Sequence, residues 1–496
     1  MNSFKNIKTT VFLLIALLFA NACSEDITEL NVNPNKPTTV SPSILLPGAM
    51  RDAVKRVHGH TTRLQRLGLD GGMLWVQYFA RNQYTNEGDT YFTVADMMNA
   101  NWLGFYTESL VNFQGIINIS KEDGVEPNSN FEAVGMIAKA WVFSVLTDTW
   151  GPIPYSEAVQ GFTENILSPA YDSQEAIYAG ILADLKTAAD QLDPAGTPIG
   201  GDILFEGDIM GWKKFANSLR LRLANRQFSK KPSESAAIFN EILGNPAQYP
   251  IFESNIDNAA LTHEGRPSNN PWHEIMVFSG REDWSISQTL IDAMTDGAGN
   301  ATDPRITVYA EPATAGDMAG MYAGAINGLP EADASVFING ASRPGSFFMQ
   351  ETAPVAIMTY SELLFVLAEA TAEGRYTGGL TAEEYMAMAV EASFDQYELT
   401  IPGDYLDGMT ADKETIMTEK WKALFGQGIE AWTEMRRTGF PVLPSASPNA
   451  IFEQSSLPTR LQYPSTEYSL NAANVAQGVS LLGGADDKLT PMWWVE

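Results

Sequence analysis

The sequence predicts an all-α protein made of packed helical pairs with a long-loop, irregular region. Three observations carry this. Apolar residues recur with helical spacing in several windows, as in FEAVGMIAKAWVFSVLTDTW, where Phe131, Val134, Ala138, Trp141, Val142 and Val145 fall on one face. Short turns bearing Gly or Pro join successive windows. Between them, the stretches 196–207, 246–285, 296–352 and 438–492 have no helical period, yet are rich in Trp, Tyr, Asn and Arg, a composition that points to ordered loops.

Each helix has its own local signals. Pro152 and Pro154 stop the one that starts near Phe131, because proline lacks the N–H that a helix needs. Asp172 and Glu175 read as a capping box, opening a helix with Ile177, Ile181, Leu185, Ala188 and Leu192 inward. Trp212, Phe215, Leu219 and Leu223 mark the stripe of WKKFANSLRLRLANR. A helix from Met358 to Glu373 closes at Gly374. Thr381 and Glu384 form a second capping box, flanked by Leu380 and Tyr385 as a staple. Residues 411 to 437 read as one last long helix with Met417, Trp421, Leu424 and Phe425 inward. Helical pairs of this kind are the unit of a tetratricopeptide array, about 34 residues per repeat.

The amino terminus has a different character. Lys5 and Lys8 precede VFLLIALLFA, a charge-free apolar run of ten residues, and small residues follow at Ala20 and Ala22. A membrane-spanning helix needs about 20 apolar residues, so residues 1–22 read as a cleavable export signal. Cys23, the only cysteine of 496 residues, stands where cleavage would fall. Ala20-Asn21-Ala22-Cys23 has the form of a bacterial lipobox, with Ala where the first position is usually Leu. The expectation is a lipid-anchored chain, since two or more acyl chains hold a protein stably on a bilayer. One cysteine also excludes an intrachain disulfide. Residues 24–50, with prolines in NVNPNKPTTVSPS, read as extended. The organisation expected is thus a signal at 1–22, a lipidated extended segment at 23–50 and a single helical domain at 51–496.

Composition and motifs exclude most chemistry. The net charge of −29 repels nucleic-acid phosphates. The sequence contains no GxSxG, no phosphate loop, no GxGxxG and no HExxH. Its four histidines are His58, His60, His263 and His273; the first two face different sides of a helix, so neither a metal site nor a cofactor is expected. Asp296, Asn300 and Asp303 have oxygen ligands suited to calcium, but DGAGNATDPR reads first as a turn. What remains is a binding surface. ARNQYTNEGDTYF carries Arg81, Asn82, Tyr84 and Tyr91; RPSNNPWHEIMVFSGREDW carries Asn269, Asn270, Trp272, Arg281 and Trp284; SRPGSFFM carries Arg343, Phe347 and Phe348. Aromatic faces stack on sugar rings or peptide side chains, and amides and guanidinium groups satisfy hydroxyls, which is the makeup of a small-ligand site. The ligand-binding residues expected are Arg81, Asn82, Tyr84, Tyr91, Asn270, Trp272, Arg281 and Trp284.

Several stretches, in order, resemble a known family. LNVNPNKPTTVSPSILLPGAM after the lipobox, AKAWVFSVLTDTWGPIPYSEA, WKKFANSLRLRLANR, DPRI, MTYSELLFVLAEATAEG and a terminal MWWVE are similar to the SusD/RagB nutrient-binding outer-membrane lipoproteins, in the branch with an NPN-x-PT opening. Ser24-Glu25-Asp26 resembles the acidic signal that directs such lipoproteins to the cell surface. The resemblance implies a superhelical scaffold of tetratricopeptide-like pairs with an irregular capping region. It implies capture of an oligosaccharide or oligopeptide without catalysis, and transfer to a SusC-like TonB-dependent barrel. A helical surface hydrolase acting on glycans, or an assembly or adhesion protein, are the alternatives.

Overall fold

In the computed structural model, residues 40–161, 164–444 and 457–495 are described. The export signal, Cys23 and Ser24-Glu25-Asp26 lie outside them. The first helix, α1 (Pro42–His58), begins inside the stretch read as extended. Proline at the first helical position costs no hydrogen bond, and Leu46, Ala49, Met50, Ala53 and Val54 give α1 a buried face.

Two shorter helices follow, α2 (Ala95–Gly104) and α3 (Val111–Ser120). Then come α4 (Ser129–Trp150), α5 (Gln174–Gln191), α6 (Ile209–Arg226) and α7 (Pro232–Gly244). The later set is α8 (Tyr360–Ala372), α9 (Ala382–Asp395), α10 (Lys413–Ala423) and α11 (Gly428–Thr438). Helices α4 and α5, α6 and α7, and α8 and α9 pack as neighbours, and α6 also meets α8. The stripes read from sequence are the buried faces: Ile177, Ile181, Leu185, Trp212, Leu219 and Leu223 are all fully buried. Burying one such side chain stabilises the fold by about 1.5–3 kcal/mol.

The caps follow sequence with one shift. Asn128 caps α4 by accepting from the N–H groups of Asn130 and Phe131. Thr381 and Glu384 form the expected reciprocal box. For α5, however, the cap is Ser173 rather than Asp172. The Asp172 carboxylate is occupied elsewhere, accepting from the N–H groups of Tyr155 and Ser156 and from the Ser156 hydroxyl. The single long helix expected over 411–437 is two helices. The chain breaks at Gly426, whose φ of +91° suits glycine and almost no other residue.

The irregular stretches are held by short antiparallel strand pairs. Strand β1 (Phe79–Arg81) pairs with β3 (Trp284–Ile286), and β2 (Ala259–Leu261) with β4 (Val355–Met358).

Buried ion pairs tie five helices together. Arg226 of α6 meets Asp148 of α4 at 2.6 Å and Glu434 of α11 at 3.2 Å. Arg437 of α11 binds Glu369 of α8 through two bonds of 2.6 Å, and Glu434 at 2.8 Å. Lys420 of α10 reaches Glu434 at 2.8 Å, and Arg222 binds Glu362 at 2.5 Å. Burial alone would raise the Glu369 and Glu434 carboxyls, but the neighbouring charges, led by Arg437, hold both below the usual carboxylate range. Asp148 and Glu362 run the other way, raised because burial outweighs Arg226 and Arg222.

Removing one partner of such a lattice strands the others. Glu369→Gln is expected to lower unfolding free energy by about 3 kcal/mol, read as an earlier urea midpoint. The sign with pH follows from the depressed carboxyl. Its stabilisation is complete above the unfolded value of about 4.3 and disappears as pH falls through the lower folded value. Between about pH 5 and 3, the urea midpoint of the parent should therefore fall more steeply than that of Glu369→Gln.

Candidate functional site

Pairing of β1 with β3 sets Arg81 opposite Trp284 and joins two loop clusters that lie two hundred residues apart in sequence. The Arg81 guanidinium sits over the Trp284 ring, 4.8 Å from its centroid, and meets Asp70 at 2.9 Å. The Trp284 indole N–H donates to the same Asp70 oxygen at 3.2 Å. Asn82 donates to the Glu282 carbonyl and to the Ser285 hydroxyl at 3.1 and 2.8 Å. Gln77 donates to the Tyr91 hydroxyl at 3.4 Å.

The second cluster is anchored in the same manner. Asn270 donates to the Ala353 carbonyl and accepts from the Trp272 N–H. Trp272 stacks on His58 with a ring separation of 4.3 Å. Asn269 donates to the Glu274 carboxylate at 2.7 Å. In the third cluster Phe348 is buried, while Phe347 is half-buried and Arg343 pairs with Glu282 at 3.4 Å.

Burial divides the eight residues expected to bind ligand into two groups. Arg81, Asn82, Tyr91, Asn270, Trp272 and Trp284 are buried and offer no surface to a ligand. They pin irregular backbone to the core, a task that needs the same aromatic and amide side chains as ligand contact. Tyr84 and Arg281 are the two that reach solvent, with the Tyr84 side chain among the exposed aromatics and Arg281 about one-third exposed.

These two share one platform. Tyr84 has φ of +57°, and its N–H donates to the Glu331 carboxylate at 3.2 Å. The guanidinium groups of Arg63 and Arg281 lie 5.7 and 5.6 Å from its ring. Arg281 is oriented by Asp283, whose carboxylate accepts its Nε–H at 2.9 Å. Arg63 pairs with Glu87, and a shallow recess lined by Arg63, Glu87 and Phe92 continues the surface. Phe92 is half exposed. The platform thus presents two aromatic rings, two cations and two carboxylates, the functional groups that recognise a polyhydroxylated ring. Arg63, Phe92 and Glu331 were not among the residues expected. Only Phe92 had a local signal, beside Tyr91 in the quoted loop.

Asp296 closes a turn by accepting from the N–H groups of Ala298 and Asn300, in keeping with the turn reading of DGAGNATDPR. Among the described residues no group of three His, Cys, Asp or Glu side chains is placed to hold a metal ion. No helix among them is long and apolar enough to cross a membrane.

Residues 34–464 match the model of the SusD-like family, described as starch-binding associating with outer membrane. The chain belongs to this family. A solved chitin-binding protein superposes with a TM-score of 0.79 at 29% identity, covering 92% of this chain and 100% of its own. A chitin-binding SusD homolog from Flavobacterium johnsoniae gives 0.78 at 25% identity, covering 90% and 98%. A SusD homolog from Bacteroides uniformis gives 0.78 at 25%, covering 91% and 99%. No curated protein matches. The family description supports a carbohydrate ligand and association with the outer membrane. It is a binding protein and not an enzyme, which removes the hydrolase alternative.

The buried and exposed residues of the site should separate experimentally. Arg81→Ala leaves Asp70 buried without its cation. It is expected to lower unfolding free energy by about 3 kcal/mol in chemical denaturation, whereas Tyr84→Ala should change it by less than about 0.5 kcal/mol.

Proposed function

We propose that this SusD-like protein, tethered by acyl chains on Cys23, captures an oligosaccharide at the Tyr84 platform and delivers it to a SusC-like TonB-dependent barrel. One observation carries the choice of site: of the eight loop residues expected to bind ligand, only Tyr84 and Arg281 combine exposure with a rigid mount. A sugar ring laid on Tyr84 or Phe92 would bury its apolar face. Its hydroxyls would lie within reach of Arg63, Arg281 and Glu331.

Preorganisation favours such a site. Arg281 is already held by Asp283, so little side-chain freedom remains to be lost on binding. The chitin-binding relatives make β-linked N-acetylglucosamine oligomers the first ligand to try, ahead of starch fragments and peptides.

Calorimetry of the purified full chain should register binding of an N-acetylglucosamine tetramer with no product formed. Tyr84→Ala and Arg281→Ala should each weaken it by about tenfold, Tyr84→Ala with the melting temperature unchanged. Equal affinity in both variants would remove the platform from consideration.

A further inference from the structure

A second cavity lies away from the platform and shares none of its residues. It opens where the end of α1, the loop before α6, strands β2 and β4, and the break between α10 and α11 meet. Its volume is about 580 Å³, within the range of small-ligand sites. Phe347 and Tyr397 form an aromatic wall, their rings edge to face at 5.3 Å.

The polar side of this cleft is one-sided in its hydrogen bonding. The buried His58 Nδ1 lies 3.3 Å from the Gly426 carbonyl, which only accepts, so Nδ1 carries the proton. Burial keeps the imidazole neutral, with its pKa lowered to about 3. His58 Nε2 then has no hydrogen-bond partner among the described residues and is closed off from the cleft. The buried Gln427 Oε1 is a second acceptor in the same position. Asn255 donates its amide N–H to the Ala392 carbonyl at 2.9 Å and accepts from the Asn258 amide at 3.5 Å, so it is held in the lining. Glu206 and Asp208 add two exposed carboxylates to the lining.

No lysine or arginine lines the cleft. The cations nearest behind its floor are committed, Arg222 to Glu362 at 2.5 Å and Arg226 to Asp148 at 2.6 Å. With Glu206 and Asp208 exposed and no cation in the lining, the ligand that fits brings N–H and O–H donors, carries no negative charge, and offers an apolar face to Phe347 and Tyr397. Positive charge adds attraction from Glu206, Asp208 and a chain of net charge −29.

We propose that this cleft is a second binding site, for a saccharide unit bearing a free, protonated amine. The ring's apolar face rests on the aromatic wall, and the ammonium and hydroxyl groups donate to the Glu206 and Asp208 carboxylates. The site is independent of the Tyr84 platform.

The test is calorimetry on the full chain with a glucosamine tetramer and, separately, its N-acetylated counterpart. The glucosamine tetramer should bind. The double substitution Glu206→Gln/Asp208→Asn should weaken it by about tenfold, since Asn retains the cap that Asp208 gives α6. Tyr84→Ala should leave it within about twofold. The double substitution should not alter binding of the N-acetylated tetramer, whose loss in Tyr84→Ala reports on the platform alone. The cleft assignment is overturned if the glucosamine tetramer does not bind. It is equally overturned if the tetramer binds the double variant as tightly as the parent, or if it is lost in Tyr84→Ala alone.

Discussion

Glu434 sits fully surrounded by three cations, Arg226, Lys420 and Arg437, each from a different position in the helical array. Placing one carboxylate among three buried cations is tolerable only because Asp148, Glu369 and Glu430 balance them. Hydrophobic stripes bring helices together with some freedom to slide. Charges buried in a low-dielectric interior do not slide, because any displacement leaves an ion unpaired at a cost of several kcal/mol. The lattice therefore sets the register of α4, α6, α8 and α11, and the irregular stretches are mounted on that frame.

The mounting explains why the functional surface is sparse. A loop without helical hydrogen bonds must satisfy its backbone and bury enough apolar area to stay ordered. Arg81, Asn82, Asn270, Trp272 and Trp284 do this work beneath the surface, and Tyr84 and Arg281 project above it. The strand pair that sets Arg81 against Trp284 thus holds both halves of the platform to one rigid base. The break at Gly426 has a comparable consequence. By ending α10 before α11 begins, it places the Gly426 carbonyl against His58 and brings Gln427 to the floor of the cleft.

Much of the scaffold was legible because its determinants are local. Apolar spacing of 3.6 residues and cap side chains within three positions of the first turn report on the chain's own geometry. They located α4, α5, α6, α8 and α9 to within a few residues. Where a local signal failed, a distant contact had claimed the side chain, as the Tyr155 and Ser156 N–H groups claimed Asp172. Gly426 was visible, but a glycine in a helical pattern is read as a weak point and not as a stop. Its left-handed conformation belongs to the packing of the second helix, where Gly428 lies against the backbone of Gly72 and Met73.

By itself the sequence determined an all-α scaffold of packed pairs, the family, and the segments that hold the candidate site, since each follows from periodicity, capping or ordered motifs along one stretch of chain. Only the tertiary structure decided which aromatic rings face solvent, that Arg63 stands beside Tyr84, and that His58 and Gln427 meet across 369 residues of sequence. The physical reason is that burial and charge pairing are properties of whatever folds back against a residue. Trp272 and Tyr84 differ little in the chemistry of their neighbours along the chain, and differ completely in what lies over them.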